Sequence, residues 1–167
     1  ATTVAAAGTL AGTGTTAGSV TLNGTLVPGN SGPGNLTVNN TLTLAGGSSL
    51  AWQIADWNGV AGTGYDKVTA TALNLTATSA SRVTVRLSPL ALANFSESSR
   101  TFTLVQTSSG ITGFSADKFT IDATALTTPQ GSWSVQQSGN NLVLAYTRAN
   151  TAPSFTVDPI LLAATEG

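Results

Sequence analysis

The sequence contains no cysteine, no histidine and no methionine. Without cysteine there is no disulfide, no thiolate nucleophile and no cysteine-based metal site. Without histidine the commonest general base and the commonest transition-metal ligand are both missing. Charge is nearly as scarce. Six Lys and Arg and seven Asp and Glu make up 8% of the 167 residues, against about 25% in an ordinary globular domain. A net charge of −1 and a pI near 5.0 leave no basic footprint for nucleic acid or an anionic lipid surface. Long apolar runs are absent too, and no stretch approaches the roughly 20 residues of a spanning helix, so no membrane insertion by this segment is expected. No charged stretch followed by an apolar one opens the chain in the manner of a secretory signal. Ala1 is a first residue expected of a processed chain or an excerpt.

Hydrophobic residues nonetheless supply 41% of the chain, the reverse of the signature of disorder. The length suits one domain with a real core. Thr and Ser together make up about 28% of residues and 18 glycines are present, a bias toward extended chain and turns. Helical periodicity is hard to find. Apolar residues instead alternate with Thr, Ser or Asn at period two, as half-buried strands require. The pattern runs through Val20-Thr21-Leu22, Leu36-Thr37-Val38, Leu42-Thr43-Leu44, Leu73-Asn74-Leu75, Val83-Thr84-Val85-Arg86-Leu87, Phe102-Thr103-Leu104 and Leu142-Val143-Leu144. Thr suits the outward positions, being β-branched yet polar. Clusters of Gly, Asn, Pro and Ser at 12–14, 28–34, 46–49, 108–110 and 138–141 punctuate these runs. The sequence reads as all-β.

Two all-β architectures compete. A sandwich or barrel spaces strands every 8 to 12 residues and joins them as hairpins. A parallel β-helix uses shorter strands, small-residue corners and imperfect repetition. The first half favours the β-helix: Gly8-Thr9-Leu10, Gly18-Ser19-Val20, Gly24-Thr25-Leu26, Asn35-Leu36, Thr41-Leu42 and Ser49-Leu50 each start a strand with a small or polar residue before an apolar one. Low charge fits, because stacked rungs would place like charges about 4.8 Å apart.

These residues carry a resemblance. Gly8 to Gly14, then Val20, Gly24-Thr25-Leu26-Val27-Pro28-Gly29, Ser31, Leu36, Leu42-Thr43-Leu44 and Ser49-Leu50 resemble the autotransporter-associated β-strand repeat. The resemblance continues through Tyr65-Asp66-Lys67-Val68, Leu73-Asn74-Leu75, Val83-Thr84-Val85, Phe102 to Val105 and the stretch 110–114, covering roughly residues 8 to 146. It implies a right-handed parallel β-helix (solenoid) with a capping region of more irregular β-strands. It also implies the late passenger region of an autotransporter-like bacterial surface protein, extracellular or on the cell surface, that supports passenger folding during secretion. Residues 1–149 are then the solenoid, with a cap at about 95–149. Residues 150–167 are a linker or isolated strand. From Pro153 and Phe155 onward they resemble the first strand of a cadherin-like or immunoglobulin-like β-sandwich module, and Val157, Ile160, Leu161 and Leu162 suit pairing with a sheet edge.

The chemistry the residues offer is thin. The acids are Asp56, Asp66, Glu97, Asp117, Asp122, Asp158 and Glu166, and no two lie at i, i+2 within one strand, the spacing that sets acids side by side on a sheet face. Asp117 and Lys118 are adjacent and point to opposite faces. A serine nucleophile would need Lys as its base, and neither lysine sits in a matching motif. No catalytic, cofactor or metal residues are therefore assigned, and the protein is expected not to be an enzyme. Asp56-Trp57-Asn58-Gly59 begins like a calcium loop. Val60 and Lys67, however, occupy the fifth and twelfth positions, where an EF-hand needs an oxygen ligand and a glutamate. The alternative there is an Asx turn at 56–59, with Asp66 capping the next strand. Among the aromatics, Trp52 alternates with Leu50 and Ile54 as an inward residue, Trp133 suits the cover of an open core end, and Trp57 is the candidate for exposure. Asn-x-Ser/Thr at Asn23, Asn35, Asn39, Asn74 and Asn94 follows from composition. Arg82 and Arg86 share a face too small for a polyanion.

The expected function is a structural stalk or scaffold with its cap. The expected packing residues are Leu10, Val20, Leu26, Leu36, Leu42, Leu44, Val83, Val85, Phe102, Leu104 and Phe114. The rival is an adhesin or self-assembling fibre subunit that binds a glycan, a protein receptor or another protomer through an exposed face or the C-terminal strand. Partners in either case are neighbouring domains of a longer chain or other copies; ligand-binding residues are unknown.

Overall fold

A computed structural model describes residues 1–150, so the expectations for the tail, Asp158 and Glu166 lie outside the described residues. The described chain is all-β. In order come β1 (Thr2–Val4), β2 (Thr9–Gly12), β3 (Thr15–Thr16), β4 (Val20–Leu22), β5 (Thr25–Pro28) and β6 (Asn35–Leu44). Then follow β7 (Ser49–Asp56), β8 (Lys67–Leu75), β9 (Val83–Ala93), β10 (Arg100–Thr107) and β11 (Ile111–Thr112). A single 3-10 turn at Ala116–Lys118 precedes β12 (Phe119–Asp122), β13 (Ser132–Ser138) and β14 (Asn141–Thr147). They form two largely parallel sheets, one of nine strands and one of five.

The pairing has a simple order. Strands β2, β5, β7, β9 and β12 stack in parallel as the five-stranded sheet. The larger sheet is bent by a bulge where Asn39 and Asn40 of β6 oppose Thr71 of β8, and an extra residue of this kind bends a strand. On one side of the bend lie β3, the start of β6, the start of β8 and the end of β10. On the other lie β1, β4, the end of β6, the end of β8 and β11. From Thr2 to Asp122 the chain visits these three columns in the same cyclic order. Parallel strands need long connections; here the strands of the other two columns serve as the connection.

Period-two alternation puts one set of side chains inside. Leu26, Leu50 and Val85 stack in one inward column, and Val20, Leu42 and Leu73 in another. All are buried, five of the six completely, each contributing about 1.5–3 kcal/mol. Of the expected packing residues, Leu10 and Phe114 are only half-buried, because they lie near the ends of their columns. Outward positions hold Thr9, Thr25, Ser49, Thr84 and Thr120 in one register-matched line, and Thr3, Thr21, Thr43, Asn74 and Thr112 in another.

The turns lengthen along the chain. Sixteen residues separate Thr9 from its partner Thr25, twenty-four separate Thr25 from Ser49, and thirty-five separate Ser49 from Thr84. Leu and Val fill the short turns. The long ones enclose an aromatic cluster of Trp52, Trp57, Tyr65, Phe95, Phe102, Trp133 and Tyr146, with ring centroids 4.8–6.1 Å apart. Apart from isolated bridges at Gly12–Gly29 and Ile54–Tyr65, antiparallel pairing among the described strands is confined to β14, which runs against β10 and forms a hairpin with β13. Residue Gly139, at φ 56°, makes the turn, a conformation that glycine reaches without a Cβ penalty.

Candidate functional site

The described acids are scattered, and each is held by the protein. Among the described residues no group of three or more metal-ligating side chains converges. Asp56 makes the expected Asx turn, its Oδ1 accepting from the Asn58 backbone N–H at 2.9 Å and from Asn94 Nδ2 at 3.0 Å. Asn58 Oδ1, the other side-chain oxygen of the calcium-like loop, accepts from Arg100 Nη1 at 2.9 Å. A guanidinium therefore sits against this loop. The Asn94 amide, with help from Asn58, keeps the Asp56 carboxyl below its usual range. Asp122 accepts from Thr124 Oγ1 at 2.7 Å and pairs with Arg86 at 3.4 Å across adjacent strands. Arg86 is thus no part of a free basic face. Glu97 accepts the Tyr146 phenol, and Asp117 accepts the Ser115 hydroxyl.

Asp66 was expected to cap a strand and does more. It is fully buried. Its Oδ1 accepts from Gly34 N–H at 2.8 Å and its Oδ2 from Gln53 N–H at 2.9 Å. The Asp66 carbonyl accepts from Trp52 Nε1 at 2.8 Å, and its own N–H donates to the Gln53 carbonyl at 2.9 Å. Gly34 leads into β6, Gln53 lies in β7 and Asp66 leads into β8, so one carboxyl clasps three consecutive segments and joins the two sheets. Burial pushes it up to about 7, against the two backbone N–H bonds that lower it. No signal in the sequence marked this role, because the partners are backbone groups 13 and 32 residues away.

The aromatics are structural. Trp52 points inward as expected, with 2% of its surface exposed. Trp57 corrects the expectation of exposure. Its Gly-rich loop folds back so that the indole is completely buried against Phe95, Phe102, Trp133 and Tyr146. The Gly59 and Gly64 backbones pack too closely there for any side chain, since a Cβ on either would lie 2.5–2.6 Å from the other's Cα. Trp133 is half-buried on the cluster. Val60, 69% exposed, is the one large apolar side chain facing solvent among the described residues.

Surface concavities remain: one of about 380 Å³ lies beside Phe119, Ile121 and Trp133, and another lies at the bulge. At the bulge, a trough of about 330 Å³ crosses β6, β8 and β10. Thr37, Thr69 and Gln106 form one rim in register, and Asn39, Thr71 and Ser108 the other. Among the described residues no acid, base or aromatic ring lines it, and its side chains offer hydrogen bonds. No protein-family model matches the sequence, and a search of curated proteins finds no match.

Proposed function

We propose that the chain is a non-catalytic structural segment: a right-handed parallel β-helix that acts as a stalk or scaffold, with residues of about 95–149 as its cap. The parent would be a large bacterial secreted or cell-surface protein whose folding this segment supports. The observation that carries the reading is the fixed cyclic order of the three strand columns, with turns that lengthen toward an antiparallel hairpin. A stack that grows one rung at a time is stabilised mostly by neighbouring rungs. Each rung buries its apolar face only when the next is present, so a formed stack templates further chain. Closure by a hairpin gives that stack a defined end, where unpaired strand groups would otherwise invite aggregation.

The experiment is surface display. A reporter fused ahead of residue 1, and anchored through an outer-membrane segment fused after residue 167, should reach the cell surface folded and protease-resistant. Leu44→Asp puts an unpaired charge at a fully buried position and should abolish both the fold and the display of the reporter. Equal display of a folded reporter by an unfolded Leu44→Asp segment would remove the folding-support role.

A further inference from the structure

We infer that the trough across β6, β8 and β10 binds an extended, neutral glycan chain running along the stacking axis. The inference goes beyond the scaffold reading and does not depend on it. The two rims are lines of neutral hydrogen-bonding side chains repeated at the rung spacing, so two rungs advance about 10 Å, close to the length of a disaccharide in an extended chain. A polymer with hydroxyls on both edges of each sugar meets such rims at every rung.

Most of these groups keep hydrogen-bonding capacity, although the Ser108 hydroxyl donates to the Thr71 carbonyl at 3.3 Å and offers only its lone pairs. The Gln106 amide oxygen accepts from Lys67 Nζ at 3.1 Å, which fixes the amide and leaves its Nε2–H₂ for a ligand. Thr69 donates to Asn35 Oδ1 at 3.0 Å, so its lone pairs remain as acceptors. Thr37 accepts weakly from Asn35 Nδ2 at 3.4 Å and keeps its own O–H free. Asn39 and the Thr71 hydroxyl have no side-chain partner among the described residues, and both are exposed.

Other occupants fit less well. A peptide strand would need an open sheet edge, but β6, β8 and β10 are each paired on both sides. A polyanion would need several cations, and Lys67 alone stands beside the trough, already engaged with Gln106. An apolar ligand would need a greasy lining, and both rims are hydroxyls and amides.

The test uses the full chain on an array of neutral and acidic oligosaccharides, followed by calorimetric titration with the best binder at two, four and six sugars. Binding to neutral chains is expected already at two sugars, with less than a threefold gain at four or six, because each rim spans only two strand spacings. Asn39→Ala with Gln106→Ala should weaken it at least tenfold, and Thr69→Trp, which fills the trough, should abolish it. Thr120→Ala on the other sheet should change nothing. All four positions are exposed or half-buried, and melting curves report whether each variant folds. The proposal is overturned by an array with no binder, by preference for acidic glycans, or by neutral binding that survives both trough variants in folded form.

Discussion

Trp57 offers the sharpest test of how the wide part of the stack is filled. The indole is completely buried and meets four aromatic rings, at 4.9 Å to Phe95, 5.2 Å to Phe102, 5.3 Å to Tyr146 and 6.0 Å to Trp133, all edge to face. Trp57→Ala removes the ring and leaves a cavity among side chains anchored to different strands, which cannot all collapse into it. A loss of about 3–5 kcal/mol is expected, or about 6–20 °C in Tm for a domain of this size. Trp57→Phe is a different perturbation. The indole Nε1–H is buried with no acceptor among the described residues, a burden of about 1–3 kcal/mol. Phenylalanine removes that group while giving up roughly 1 kcal/mol of buried area. Trp57→Phe should therefore match the parent or exceed it by up to about 2 kcal/mol. Urea melts followed by far-UV circular dichroism make the comparison without relying on tryptophan emission. A folded Trp57→Ala protein that loses less than 1 kcal/mol would refute the buried placement of this loop.

Two further predictions concern single groups. The folded pKa of Asp66, about 7, lies above its ordinary value of 3.8, so the folded state holds the proton more tightly. The Asp66 contribution to stability is then full below about pH 4, declines as pH rises toward 7 and is level above. Asp66→Asn cannot titrate and should flatten that decline in urea midpoints taken from pH 4 to 8; parallel profiles for the two proteins would count against it. At Gly24 a Cβ would lie 2.2 Å from the carbonyl oxygens of both Ala5 and Gly8. Gly24→Ala should cost about 1–3 kcal/mol or more through forced backbone shifts, whereas Gly14→Ala, with nothing within 4 Å, should be silent in the same thermal melt.

The strands were legible because alternation is a local signal. Leu42-Thr43-Leu44 and Val83-Thr84-Val85 announce an inward and an outward face without reference to anything distant. Trp52 was readable for the same reason, lying in step with Leu50 and Ile54. The Asx turn at Asp56 was readable from four residues. Trp57 departs from its local pattern, because a Gly-rich loop reads as solvent-exposed. Its burial depends on Phe95, Phe102, Trp133 and Tyr146, which no local pattern connects to it. Asp66 was underestimated because two backbone N–H groups hold its carboxyl, and backbone donors have no letter in a sequence. The trough has no signature in the sequence. It arises where the extra residue at Asn39-Asn40 bends β6 against β8, and register is a property of pairs of strands.

Stacking also explains the missing charge. In the line Thr9, Thr25, Ser49, Thr84 and Thr120 each side chain lies directly over the next, about 4.8 Å away. Like charges at that distance repel by roughly 0.9 kcal/mol even in water. A line of five would carry four such contacts, or about 3–4 kcal/mol, a large share of a typical stability of about 5–15 kcal/mol. Hydroxyls incur no such cost. Where charge does enter a line, Arg86 lies over Asp122, opposite in sign and 3.4 Å apart. The same constraint removes the side chains from which acid–base and metal chemistry are built. A stack of this kind can present many neutral hydrogen-bonding groups at a regular interval but few reactive ones, which favours recognition of a repeating neutral polymer over catalysis.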